Sequence, residues 1–184
     1  MALGQYLKKH RMVKHSLCLI ILAITVWVCF IFNLSLRKDH NRDWGDYPLN
    51  KSTKELVLAR TSQCNNPDDI INECCKIAID NLTFSKANDI PNGKANCIGY
   101  ARFTSAILNY AFANKDIDYK AQPVVGTVYS FGLNLNMIAQ YILPHKWRPF
   151  FKDHDFVEVR SKYSTIYIDT SLQDISGRQF IVSQ

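Results

Sequence analysis

From residue 17 to residue 32 the chain is apolar at every position except Thr25. A helix without a polar side is stable only inside a core or in lipid, so this run governs how the rest of the chain can fold. Carried on through Asn33 to Leu36 it becomes a helix of about 30 Å, the thickness of a bilayer's hydrocarbon core. A cleaved signal peptide is the rival reading, with an apolar core of about 7 to 15 residues and small residues at the cleavage site. Here the run is longer, and Phe32-Asn33-Leu34-Ser35-Leu36-Arg37-Lys38 has no small-x-small pattern. An uncleaved transmembrane helix over 17–36 is therefore expected. Lys8, Lys9, Arg11 and Lys14 precede it, while Arg37, Lys38 and Arg42 follow it among Asp39 and Asp43. This bias puts the N-terminus in the cytoplasm and the domain on the extracytoplasmic side, periplasmic or extracellular.

The remaining length suits one domain. The expected organisation is a basic cytoplasmic N-terminus at 1–16, the membrane helix at 17–36, a tether and lead-in at 37–65, and a folded domain at 66–184. Polar character, Gly45, Pro48 and the lack of apolar periodicity make 37–50 read as linker.

A net charge of +6 invites a nucleic-acid reading, but its distribution argues against one. Residues 1–42 hold seven of the 22 Lys and Arg and one of the 16 acids, so residues 43–184 are balanced at fifteen and fifteen. With all the excess beside the apolar run, the domain has no basic stripe to engage phosphates. No nucleic-acid partner is expected.

Six cysteines are present: Cys18 and Cys29 in the apolar run, then Cys64, Cys74, Cys75 and Cys97. They form no C-x-x-C pair and have no histidine at zinc-finger spacing, so neither a metal nor a cofactor is expected. In an extracytoplasmic domain Cys64 has Cys74 or Cys75 as a disulfide partner. The alternative is that Cys74 and Cys75 are small apolar residues of a helix.

That helix is expected from Asn66-Pro67-Asp68-Asp69 to about Leu82. Asn caps, Pro suits the first helical position and two acids complement the dipole. Ile70, Cys74, Ile77 and Ala78, with Ile71, Cys75 and Leu82 beside them, form its buried stripe. A second helix follows Cys97, with Tyr100, Phe103, Ile107 and Tyr110 at spacings of three and four. Extended segments are expected at 119–130, 154–160 and 164–170, rich in Val, Ile, Tyr and Phe. Pro144 and Pro149 leave 131–151 ambiguous. Helices followed by antiparallel strands define an α+β domain.

A hairpin turning at Ser161 and Lys162 sets Val157 opposite Ile166 and His154 opposite Asp169. Opposed residues have Cβ atoms about 5 Å apart, within reach of an imidazole-carboxylate hydrogen bond. Val157, Val159, Ile166 and Ile168 then share one face, and His154 and Asp169 the other.

The candidate catalytic residues are Cys97, His154 and Asp169. A helix N-terminus and a nearby imidazolium both favour thiolate, the nucleophilic form of cysteine. In such a trio the thiol attacks a carbonyl carbon and forms an acyl-enzyme, the histidine moves the proton, and the carboxylate holds the ring. The oxyanion needs donors: the Cys97 N–H is one, with Asn96, Gln140 and Trp147 as candidates for a second. Taken singly, each residue has a plainer role: Cys97 as a buried small side chain, His154 at a hairpin edge, Asp169 capping a turn. His145, in Leu-Pro-His-Lys, competes with His154 but has no strand partner.

Asn96-Cys97-Ile98-Gly99-Tyr100-Ala101, His154-Asp155-Phe156-Val157-Glu158-Val159 and Tyr167-Ile168-Asp169-Thr170-Ser171 together resemble the transglutaminase-like domain of the papain-like fold. Ala78-Ile79-Asp80-Asn81-Leu82-Thr83-Phe84 also resembles that family's lead-in helix. The likeness covers about residues 66–175. It departs from the family at Asp155, where an aromatic residue often follows the histidine, a difference that bears on the substrate groove. The resemblance implies a Cys97-His154-Asp169 triad on a helix packed against an antiparallel sheet, with no cofactor. It also implies hydrolysis of peptide or amide bonds in small domains that lack added β-sandwiches. The expected function is thus a membrane-anchored cysteine peptidase or amidase acting on a protein or peptide through a thioester. Crosslinking or deamidation of protein glutamine is the alternative acyl transfer. In another class, a tethered binding or scaffold module would keep the trio as a relic.

Overall fold

A computed structural model of the chain describes residues 16, 20–26, 28–29, 33–43, 45–142, 144–145, 153–177 and 181–183. In chain order the elements are β1 (Leu34–Asn41), α1 (Lys51–Thr61), α2 (Pro67–Asn81), β2 (Thr83–Phe84), β3 (Lys94–Ala95), α3 (Cys97–Asn114) and β4 (Lys120–Ser130). After these come β5 (Leu133–Asn134), α4 (Leu135–Ile142), β6 (His154–Arg160), β7 (Thr165–Ile168), α5 (Thr170–Ser176) and β8 (Ile181–Ser183). The main sheet runs β1-β4-β6-β7-β8 with β5 on β4, antiparallel throughout. The molecule is an α+β fold with helices packed on a curled antiparallel sheet.

The two central helices begin as their sequences dictate. Asn66 Oδ1 accepts the Asp69 N–H at 2.8 Å, and Pro67 occupies the first helical position of α2. The side chain of Asn96 accepts from the N–H groups of Ile98 and Gly99 at the start of α3. Their stripes meet in the main core, where Ile70, Cys74 and Ile77 of α2 pack with Tyr100, Ile107 and Leu108 of α3 against Val157, Val159 and Ile168. Burying each large aliphatic side chain contributes about 1.5–3 kcal/mol. Leu36, Val124, Val128, Phe156 and Tyr167 form a second cluster on the other sheet face.

Cys64, Cys74 and Cys75 are buried free thiols, so the conditional disulfide is not formed. Burial pushes the Cys75 thiol up to about 12 and raises Cys74 further.

Two expectations for the N-terminal third are corrected. Residues 34–36 do not end a membrane helix, and 37–41 are not tether: both belong to β1, which pairs with β4 from Leu34↔Ser130 to Asn41↔Val124. Only Leu36 of β1 is fully buried, and ion pairs secure the rest of the strand. Lys38 Nζ lies 2.9 Å from both carboxylate oxygens of Glu158, a buried side chain of β6 that Gln122 and Arg160 also contact. Burial raises the Glu158 pKa, yet these cationic and amide partners outweigh it and hold the carboxyl below its usual range. An edge strand held by charge lacks the apolar alternation that marks a strand in sequence. Helix α1, within the expected lead-in, escapes notice for a similar reason, since it buries only Val57 and Thr61.

Residues 20–26 and 28–29 are helical, while 17–19, 27 and 30–32 of the expected membrane helix lie outside the described residues. Among the described residues no helix is long and apolar enough to cross a membrane.

The hairpin register is also corrected. Val157 faces Ile168 and Val159 faces Ile166, one residue beyond the expected turn centre. Residues 161–164 form the loop, in which the hydroxyl of Ser161 accepts the N–H groups of Tyr163 and Ser164 and its own N–H donates to the Ser164 carbonyl. This serine-centred turn is longer than the two-residue tip expected. A displacement of two in the pairing sum changes each opposed partner but keeps each face. Val157, Val159, Ile166 and Ile168 accordingly all pack on the main core, and Phe156 and Tyr167 on the second cluster.

Candidate active site

Three elements converge on one apolar cavity. The N-cap at Asn96 sets Cys97 at the first position of α3, and the Asn96 N–H itself donates to Asn88 Oδ1 at 2.9 Å. Gly99 permits that approach, because a Cβ there would sit 2.6 Å from Asn88 Oδ1 and 2.8 Å from the Ala95 Cβ. The segment 85–96, which includes β3, therefore seats directly on the first turn of the helix that carries the thiol.

His154 opens β6 and pairs across the sheet with Gly126 of β4. Its Nε2 lies 2.5 Å from Asp169 Oδ2, and the Cys97 thiol is within hydrogen-bonding reach of the same ring. With Nε2 engaged by the carboxylate, Nδ1 is the nitrogen left for the thiol. The structure thus brings together all three residues singled out in the sequence, by a diagonal reach rather than a directly opposed pair.

Asp169 fills its structural and chemical roles at once. It follows the end of β7 and caps α5: Oδ1 accepts the Leu172 N–H at 3.0 Å and the Ser171 hydroxyl at 2.7 Å, which leaves Oδ2 for His154. Its side chain is 1% exposed, against 16% for His154. Burial alone would raise the Asp169 pKa, but the imidazole, the Leu172 N–H and the Ser171 hydroxyl hold it below its usual range. Burial likewise would lower that of His154, and the Asp169 charge and hydrogen bond, with Cys97, raise it well above the ordinary value.

Asp155, the residue after His154, is buried and receives Arg42 Nη1 at 3.1 Å. Arg42 also pairs with Asp153. A guanidinium that follows β1 thus bridges the residues on both sides of His154, a role the sequence concealed because Arg42 fell in the expected tether.

The cavity beside Cys97 and His154 has a volume of about 390 Å³, and Phe84, Ile98, Val128, Leu135, Leu172 and Ile175 give it apolar walls. Asn136, not among the expected donors, also lines it, and its Oδ1 accepts the Val128 N–H at 3.3 Å. Of the expected donors, Asn96 is committed to the helix cap and Gln140 lies on α4 outside the cavity lining, while Trp147 falls outside the described residues. His145 is not part of the cavity lining. A second cavity of about 660 Å³, between residues 45–49 and α3, contains none of the trio. Among the described residues no group of His, Cys, Asp or Glu is arranged to hold a metal ion.

Comparison with known proteins finds no matching family model, no matching curated protein and no matching solved structure.

Proposed function

We propose that the protein is a membrane-anchored cysteine enzyme of the transglutaminase-like, papain-like type that transfers acyl groups through a thioester. The observation that carries this reading is the trio itself: a thiol at a helix start, an imidazole within its reach and a buried carboxylate on the ring's other nitrogen. His154 takes the thiol proton as Sγ bonds to the substrate carbonyl carbon, then passes it to the departing amine as the C–N bond breaks. Water, deprotonated by the same ring, then attacks the thioester, and the C–S bond breaks to free the acid and the thiol. A cavity with mainly apolar walls favours a peptide with an apolar side chain near the reacting carbonyl, and the likeness to small domains without added β-sandwiches favours hydrolysis over transfer to an amine. The apolar run at 17–32 anchors the domain on the extracytoplasmic side.

Alkylation with iodoacetamide tests the thiol. At about pH 7.5 Cys97 should react about 100-fold faster than Cys64, Cys74 or Cys75, and His154→Ala should slow it about tenfold. Equal rates at the four sites, read by mass spectrometry, would sink the proposal. Comparing the proteome of cells carrying wild type with that of cells carrying Cys97→Ala then identifies the reaction: new chain termini for a peptidase, Gln to Glu for a deamidase, Gln to Lys crosslinks for a transglutaminase. No difference in any channel favours the scaffold.

We assign the second oxyanion donor to the Asn136 amide, whose carbonyl is held by Val128 so that its N–H groups serve the cavity. Asn136→Leu should lower kcat about 100-fold while leaving Cys97 alkylation unchanged, because alkylation develops no oxyanion. A parallel loss of both would show that Asn136 acts on the thiol instead.

A further inference from the structure

We propose that the β4–β5 hairpin tip and the outer face of α4 form a second membrane contact, lying on the surface of the bilayer that holds the apolar run. The proposal rests on the anchoring of that run and is independent of the acyl-transfer chemistry.

The first observation is continuity. The Asn33 N–H and its side-chain amide both donate to the carbonyl of Cys29, a helical residue, and β1 begins at the next position, Leu34. Leu34 pairs with Ser130, and Ser130 pairs on its other side with Leu133. Two strand spacings place Leu133 about 10 Å from Leu34. The hairpin tip at Phe131 and Gly132 therefore stands at the edge of the domain where the apolar helix arrives.

The second observation is the chemistry of that edge. Phe131 and Gly132 form a two-residue turn with φ of 51° and 75°. Such turns ordinarily take Asn, Asp or Gly, and a bulky side chain at positive φ costs about 1–2 kcal/mol. Here the strained position carries a phenylalanine that is 60% exposed, with Leu133 exposed next to it.

Helix α4 extends the pattern with its polarity reversed. Its polar residues, Asn136 and Gln140, are four apart on one stripe, and Asn136 is turned inward to the Val128 N–H. Met137, Tyr141 and Ile142 face outward, with Tyr141 80% exposed. A helix on a water-facing surface places its polar stripe outside, and a contiguous exposed apolar patch marks an interaction surface. Ile20, Ile21, Leu22, Ile24, Val26 and Val28 of the apolar run are exposed as well. A lipid surface covers all of these at once. Leu135 and Asn136 of the same helix line the cavity beside Cys97, so this contact would hold the cavity mouth close to the bilayer and restrict substrates to chains presented there.

Photo-crosslinking of the full chain in phosphatidylcholine vesicles tests this, with p-benzoylphenylalanine placed singly at positions 131, 137 and 163. Tyr163 is 88% exposed in the β6–β7 loop, at the sheet end where Lys120 pairs with Arg160. Lipid adducts at 131 and 137 should exceed those at 163 about tenfold, as expected for side chains at the acyl boundary. If the chain stays with the vesicles through alkaline carbonate washing but all three positions give equal yields, the second contact is refuted while the anchor stands. Adducts to a second copy of the chain in place of lipid would also overturn it, and a chain washed from the vesicles would refute the anchor and the contact together.

Discussion

Asp169→Asn should lower turnover about 1,000- to 10,000-fold while leaving helix α5 capped. The carboxylate divides its work, with Oδ1 held by the Leu172 N–H and the Ser171 hydroxyl and Oδ2 facing His154 Nε2. Asparagine caps as well as aspartate does, so its carbonyl oxygen takes the Oδ1 place and its NH₂ group meets the ring. Nε2 must then accept, which puts the ring proton on Nδ1, pointing at a thiol whose proton it can no longer receive. Alanine at 169 would lose the cap as well, so the asparagine variant isolates the tautomer. Activity within about tenfold of wild type would rule out Asp169 as the group that orients the ring.

The same variant has a pH signature. His154 is raised above its ordinary 6.5, so its contribution to stability is complete below 6.5 and is lost as pH climbs through the folded value. Asp169 is held below its ordinary 3.8, so its contribution is present above 3.8 and is lost as pH falls through the folded value. The stability gap between wild type and Asp169→Asn should therefore be widest from about pH 4 to 6.5, at about 2 kcal/mol, and close on both sides. A gap that stays constant from acid to alkali in thermal melts would mean that the ion pair contributes nothing.

Gly126→Ala should be the most damaging single methyl addition in the sheet. Gly126 pairs with Lys38 of β1 on one side and His154 of β6 on the other. A Cβ there would lie 2.1 Å from the Arg37 carbonyl oxygen and 2.7 Å from Phe156 Cε1. A phenyl ring can rotate away, but a backbone carbonyl within a paired strand cannot move without parting β1 from β4. The expected cost is about 3 kcal/mol, or roughly a 10 °C drop in melting temperature for a domain of this size. Losing β1 would also withdraw Arg42 from Asp153 and Asp155, so the activity at His154 should fall with the fold. A variant melting within about 2 °C of wild type would show that β1 does not pack against Gly126.

The elements legible in the sequence were those that bury an apolar stripe. Helix α2 has its Asn66 cap, Pro67 and an Ile-Cys-Ile face, and α3 shows three-and-four spacing after Cys97. Strands β4, β6 and β7 are dense in β-branched residues. Strand β1 and helix α1 were hidden because one is secured by Lys38 on Glu158 and the other buries two residues; long-range ion pairs leave no periodic trace. The hairpin register slipped because the turn is made by the Ser161 hydroxyl, without the Asn-Gly or Asp-Gly signal that would locate a tip.

By itself the sequence singled out Cys97, His154 and Asp169, their order, and the face on which Val157, Val159, Ile166 and Ile168 pack, since side-chain parity along a strand survives any shift of two in the pairing. Tertiary structure alone decided how they meet. Asp169 reaches His154 diagonally because it has left its strand to cap α5, Asn136 enters the cavity on a helix folded back over β4, and Arg42 bridges the residues flanking His154 from a segment that reads as linker. Each of these is a contact between residues whose separation in the chain carries no pattern, and only packing brings them within hydrogen-bonding distance.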